Sequence, residues 1–396
     1  MKKIMILGAG IYQVPLIKKA KELGLYTIVV SIDGNYPGFK FADKIYYIDT
    51  TDAESVLEVA KKEKIDGIVT AGTDVAIPTL GKVRDSLKLH GVSELAAKKS
   101  TVKGMMKEAF AVNHVRSAKF ILCDDKENIE HALKKMNFPV MFKAVDSSGS
   151  RGITKVNSNN PIEIRSAIET IKEVTHSDNY IIEEYIDGIE FGAQSLICGG
   201  EMKFFMPHGD YIFKGDAGVP IGHFVPYFLE DSIIHDAEIQ LKKAIKALGL
   251  DECAINADFI LSNGKVYVLE IGARSGATCL AEMVSIAYGI DYYETLIQVA
   301  LEGTCNAFFD TKINPVIARL IISNRDGIID DIVLPDIKND NIIEMNIDYS
   351  IGSKVNKFKV GPDRIGDIIV KGDTLADAKE IMDNAMNELQ IKIKDV

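Results

Sequence analysis

The sequence has few cysteines, and none of them stand at short spacing. Cys123, Cys198, Cys253, Cys279 and Cys305 are scattered along the chain, with no CxxC element and no cysteine–histidine cluster at zinc spacing. This excludes a disulfide framework and a structural zinc site, and a cytoplasmic, reducing setting is expected. Long apolar runs are lacking as well. No stretch approaches the roughly 20 apolar residues that cross a bilayer, and the run before Gly8 is too short for a secretory signal. A soluble chain with no membrane partner is expected. Excess positive charge is also missing. A formal net charge of −11 repels a phosphate backbone, and no basic stripe with interleaved aromatics offsets it, which argues against nucleic acid.

What is present suits a folded enzyme-sized protein. With 396 residues, 47% hydrophobic and 26% charged, the chain is too long for one ordinary core, so two or three domains are expected. From Lys3 to about Leu95, short β-rich runs (KIMIL, YTIVVS, DGIVTA) alternate with amphipathic stretches, the pattern of a parallel sheet with crossover helices. Thr51 stands three residues before Glu54 in a capping-box arrangement, and Gly24 lies where a left-handed helix C-cap is wanted. One helix is predicted between Ser100 and Asn113, with a domain boundary near 100. Asn160, Pro161 and Glu163 mark the start of a helix running to about Val174, and helices are predicted over Ser232–Leu248 and Leu375–Leu389. After about Asn306 the chain turns β-rich.

Four motifs could carry chemistry. Gly8 and Gly10 follow a strand, and Asp33 ends the next strand, so a dinucleotide fingerprint nearly forms. Its third glycine is missing, with Gln13 and Val14 in that region. A turn that binds something else, or merely folds, fits better than NAD. In FPVMFKAVDSSGSRGI, a strand carrying Lys143 runs into Ser147, Ser148, Gly149, Ser150 and Gly152. Small residues let backbone N–H groups close on phosphate, and the lysine supplies charge; a flexible hairpin fits the segment equally. In YIIEEYIDGIEF, an apolar strand stops at Glu183 and Glu184, turns at Asp187-Gly188 and resumes at Glu190. This has the form of a hinge, or of an exposed acidic turn.

The fourth motif is INADFILSNGKVYVLEIGAR, Ile255 to Arg274. Side chains alternate faces along a strand, so turn parity decides where its acids point. A two-residue Asn263-Gly264 turn would pair Asp258 with Leu269 and separate the carboxylates. A three-residue Ser262-Asn263-Gly264 loop gathers Asn256, Asp258 and Glu270 on one face, and this is the expected turn. No lysine or arginine of the hairpin shares that face, so a divalent cation such as Mg²⁺ is the natural partner of the pair. A solvated polar face is the alternative. His208, Asp210, Tyr211, Lys214 and His223 lie in a Gly- and Pro-punctuated insert that could bind an amino-acid-like substrate, or form a surface loop.

In this order the motifs resemble the ATP-grasp superfamily, in particular its carboxylate-amine (amino-acid) ligase branch, with similarity to carbamoyl phosphate synthase large-subunit-like and biotin carboxylase-like proteins. The resemblance implies an α/β and α+β architecture. A Rossmann-like pre-ATP-grasp domain (1–100) would be followed by a two-lobed ATP-grasp domain (101–305, mobile lobe about 117–185) and a small β-rich C-terminal domain (306–396). It implies Lys103 and Lys143 on ATP phosphates, the loop Ser148, Gly149, Ser150 and Gly152 over them, and Glu183, Glu184, Tyr185 and Ile186 around adenine. Glu190 would reach the ribose. Asp258 and Glu270, with Asn256, would hold Mg²⁺ or Mn²⁺, and Arg274 would lie near phosphate and substrate. Gly272 stands where many members carry Asn. The activity implied is ADP-forming ligation of a small carboxylate to an amine, in a chain that could be a homodimer. The alternatives are an ATP-grasp carboxylase or kinase acting on carbamate, formate or bicarbonate, similar to purine-pathway enzymes, or a non-catalytic nucleotide-binding protein.

Overall fold

The computed structural model describes residues 1–123, 126–147, 151–175, 177–213, 218–335 and 340–395. The N-terminal segment builds a four-stranded parallel sheet in the order Lys44–Tyr47, Tyr26–Ser31, Lys3–Leu7, Gly67–Val69. Its central strand is apolar on both faces because both are covered. Met5 and Leu7 enter one core with Ile28 and Val30, while Ile4 and Ile6 enter another with Val29. Crossover helices Val14–Glu22 and Ala53–Glu63 join the strands. Gly24 has φ +72 just past the first helix, the left-handed position the sequence called for. The second helix corrects the capping-box reading of Thr51: Asp52 is the N-cap and accepts the Ser55 amide at 3.2 Å, one residue later than predicted.

The glycine-rich turn is filled from within. Gly8 takes φ +96, the Gly10 amide donates to Gln13 Oε1 at 2.9 Å, and Gln13 Nε2 donates to the Ala71 carbonyl at 2.5 Å. The Gln13 amide thus occupies the N–H that a dinucleotide phosphate would need.

The helix predicted between Ser100 and Asn113 forms as Lys103–Val112, and a further helix, Glu94–Thr101, precedes it across Val102 in an extended conformation (φ −100, ψ 105). The break places Lys103 at a helix start. A four-stranded antiparallel sheet follows, in the order Phe120–Cys123, Tyr180–Glu184, Val140–Ala144, Ile153–Val156. It has its own core of Cys123, Val140, Phe142, Val156, Ile171 and Ile182, packed beneath helix Pro161–Lys172.

The remaining chain forms a three-stranded antiparallel sheet, in the order Lys354–Val355, Gly327–Val333, Gln390–Lys394, and an eight-stranded sheet. The order of the eight-stranded sheet is Lys265–Gly272, Cys253–Ser262, Ile189–Cys198, Glu201–Ile212, Pro220–Val225, Val316–Ile321, Gly366–Lys371, Ile342–Ile347. Val225 pairs with Val316, so this sheet runs continuously across residues 305 and 306. Helix Asp231–Leu248 packs on the hairpin side, and Leu375–Glu388 on the C-terminal side. Among the described residues no helix is long and apolar enough to cross a membrane.

Candidate active site

The hairpin Cys253–Gly272 decides where the two acids stand. The expected three-residue loop is not formed. Ser262 pairs with Lys265 across a two-residue turn in which Asn263 and Gly264 have φ 49 and 71, the left-handed pair that matches strand twist. Parity alone would then separate the acids, but the register shifts between Asp258 and Phe259. Phe259 faces Val268, Asp258 faces Glu270, and Leu269 is left over as a bulge. The bulge re-aims the strand end, so Asp258 and Glu270 come to oppose one another for a different reason from the one predicted.

The acid pair has an electrostatic signature. Asp258 keeps an exposed edge, yet burial by the surrounding protein and the nearby Glu270 carboxylate push its carboxyl up to about 7. The pair is not without a cation, as the hairpin alone suggested. Lys103 Nζ reaches Glu270 Oε1 at 3.2 Å and donates to the Ser147 carbonyl at 2.7 Å. Asn256 stands two residues before Asp258 on the same strand, and its Oδ1 accepts Gln194 Nε2 at 2.6 Å through one of its two lone pairs.

Gly272 also finds its reason. A Cβ there would lie 2.8 Å from Asp74 Oδ1. Asp74, from the N-terminal unit, takes the Arg274 guanidinium through Nε at 2.9 Å and Nη2 at 2.7 Å. The glycine gives room to this two-pronged pair, and Arg274 stands next to the acids with its charge already shared. Sequence reading missed Asp74, which lies 200 residues away.

Under the second sheet lies a buried charge cluster. Lys143 Nζ meets Glu183 Oε2 at 2.7 Å, and Lys107 Nζ lies 3.3 Å from Glu183 Oε1. Burial alone would raise the Glu183 carboxyl, but the two ammonium charges overcome it and hold it below its ordinary value. Glu183 is 1% exposed, and its carboxylate is shared by the two lysines. Burial, and then the neighbouring Lys143, lower Lys107, while Glu183 opposes them. Lys107 was missed; its signal was its place one helical turn after Lys103.

Glu184 and Glu190 are exposed and Tyr185 and Ile186 are half-buried at the strand ends, with Lys155 Nζ 3.5 Å from the Tyr185 ring centre. Ser148, Gly149, Ser150 and Lys214 lie outside the described residues. Gly152 ends the loop with φ +67, where a Cβ would lie 2.4 Å from Val174, and Ser147 Oγ donates to the Arg151 carbonyl at 2.6 Å. His208 and His223 are buried and both direct Nδ1 to Asp210 Oδ1, at 2.9 and 2.5 Å. Asp258, Gly192 and His208 lie side by side on three adjacent strands. Tyr211 instead stacks under the Arg319 guanidinium, 4.4 Å away.

The sequence profile described as phosphoribosylglycinamide synthetase, ATP-grasp (A) domain, matches residues 101–279. A second, described as L-amino acid ligase C-terminal domain 2, matches 319–394. The crystal structure of phosphoribosylglycinamide synthetase from Anaerococcus prevotii is 35% identical, with TM-score 0.86 over 99% of this chain and 100% of that one. The chain belongs to the ATP-grasp superfamily, in its carboxylate-amine ligase branch. This ATP-grasp ligase is also 25% identical to a formate-dependent phosphoribosylglycinamide formyltransferase of Methanocella arvoryzae, over 99% of this chain and 93% of that one. An L-amino acid ligase from Bacillus licheniformis shares the fold, at 18% identity and TM-score 0.81 over 100% of this chain and 99% of that one.

Proposed function

We propose that this ligase uses ATP and Mg²⁺ to activate a small carboxylate as an acyl phosphate, which the amine of an amino-acid-like substrate captures to form a C–N bond. The observation that carries the reading is the bulged hairpin that sets Asp258 opposite Glu270. Burial and the facing Glu270 carboxylate raise the Asp258 carboxyl, and an oxygen-only donor set suits Mg²⁺. When bound there, the ion would neutralise phosphate oxygens against the incoming carboxylate. ATP would lie between lobe 117–185 and the rest of a grasp domain spanning 101–305. Lys103 at its helix start and Lys143 beside Lys107 would hold the phosphates, while Glu183 keeps both lysines extended. Residues 184–186 and Glu190 would line the adenosine. Arg274, fixed by Asp74, would orient the reacting carboxylate. Closure of the loop ending at Gly152 would keep water from the acyl phosphate.

ADP release should depend on a carboxylate and be trapped by hydroxylamine. Glu270→Gln should lower that turnover by at least ~100-fold; near-normal turnover would remove Glu270 from the metal site. Full-length relatives named for formate-dependent phosphoribosylglycinamide formyltransferase favour a second reading, in which the carboxylate is formate and the amine belongs to a phosphoribosyl compound. Formate-dependent ADP release with that amine would establish it.

A further inference from the structure

A cavity of about 40 Å³ lies where the N-terminal turn, the segment after the hairpin and the C-terminal strands meet. That is about three times the space one water needs, enough for a charged head group. Tyr12 enters from the glycine-rich turn, and its hydroxyl hydrogen-bonds the Thr278 side chain. Gly361 gives it room, since a Cβ there would lie 1.9 Å from the Tyr12 oxygen. The far wall carries Arg364, Asp367 and Glu344, and Glu282 lines the near side.

The charge in this cavity is one-sided. Arg364, its one cation among the described lining residues, gives Nε to Asp348 and Nη2 to Asp367, each at 2.9 Å. Two carboxylates therefore already exceed the guanidinium, and Glu344 and Glu282 add to them. Glu344 receives Asn346 Nδ2 at 2.5 Å, and Glu282 receives the Tyr293 hydroxyl at 2.8 Å; neither donor is charged. Burial and the neighbouring acids push Glu282 up to about 7, and Asp367 is raised to about 6 despite Arg364. The wall is linked to the hairpin: the Gly276 amide donates to Gln194 Oε1 at 2.9 Å, and Gln194 Nε2 donates to Asn256, two residues from Asp258.

We propose that this cavity seats the ammonium group of an unphosphorylated, amino-acid-like substrate and disfavours substrates that carry a phosphate. An ammonium supplies the missing positive charge and three donors, whereas a phosphate dianion would face acids with an arginine already spent on two of them. The proposal rests on the ligase reading and selects between its two branches. It bears on relatives named for phosphoribosylglycinamide, whose substrate carries a phosphate.

The test measures acid-dependent ADP release by the full chain with three amines: hydroxylamine, a panel of free amino acids, and phosphoribosylglycinamide. Free amino acids should be used with a kcat/KM at least about tenfold above that of phosphoribosylglycinamide. Glu344→Gln should raise the KM for the ammonium-bearing substrate about tenfold, with kcat changed less than about threefold, the pattern of lost ground-state binding. A KM rise for the donor amino acid under hydroxylamine trapping assigns the cavity to the donor; a rise only for the acceptor assigns it to the acceptor. Preference of the wild-type chain for phosphoribosylglycinamide overturns the proposal without needing a variant, as does a Glu344→Gln enzyme with unmoved KM values. ADP release with hydroxylamine but a phosphoribosyl preference removes this inference alone. Its complete absence with every carboxylate removes the ligase reading beneath it.

Discussion

Glu183 shows how much one side chain can govern. Its carboxylate, 1% exposed, is shared by Lys107 and Lys143, and removing one partner from a buried ion cluster leaves an uncompensated charge. Glu183→Gln should therefore lower unfolding free energy by about 3–5 kcal/mol, read as a drop in the urea midpoint at unchanged slope. A shift no larger than that of a surface substitution would show that the lysines find other partners. Gly272 is a second such position. Gly272→Asn would restore the residue common in the superfamily, yet drive a side chain into the Asp74–Arg274 pair. Reduced turnover is expected, because the new side chain displaces the carboxylate that fixes Arg274; unchanged turnover would show that the pair moves aside without loss.

At the scale of elements, helix Ala53–Glu63 is tied to its sheet through its last residue. Glu63 receives Lys44 Nζ at 2.6 Å, the Tyr46 hydroxyl at 2.5 Å and Lys3 Nζ at 3.4 Å. Lys44, then Tyr46, hold its carboxyl down at about 2. A folded-state value below the ordinary one, about 4.3, stabilises the fold at higher pH and is lost as pH falls toward the folded value. Stability should therefore decline between about pH 4.5 and 2, and Glu63→Gln should flatten that part of the curve, measured as Tm against pH. A wild-type curve with no slope there would discount the tie. The same element was legible in its apolar spacing but not in its cap, because Thr51 and Asp52 both offer N-cap oxygens. The extended residue Val102 that starts helix Lys103–Val112 and the bulge at Leu269 were likewise hidden: each is a one-residue event, and apolar periodicity does not resolve single residues.

For the whole molecule, lobe 117–185 has a separate core, and its contacts with the rest include Lys103 reaching Ser147 and Lys107 reaching Glu183. A non-hydrolysable ATP analogue with Mg²⁺ should slow backbone hydrogen exchange in segments 144–152 and 183–190 while leaving the central strand Lys3–Leu7 unchanged. Equal exchange with and without the analogue would argue against closure over the nucleotide. The linear sequence by itself determined the parallel N-terminal sheet, the order of lysine, glycine loop, hinge and acid pair, and through that order the superfamily. These depend on local periodicity and on residue types at short spacing, which a chain carries wherever it folds. Only the tertiary structure decided that Asp258 meets Glu270 through a bulge, that Asp74 holds Arg274 from 200 residues away, and that Tyr12, Glu282 and Arg364 close one acid-rich cavity. Each of these depends on register or on contacts between distant segments, and neither is fixed until the sheets and helices pack.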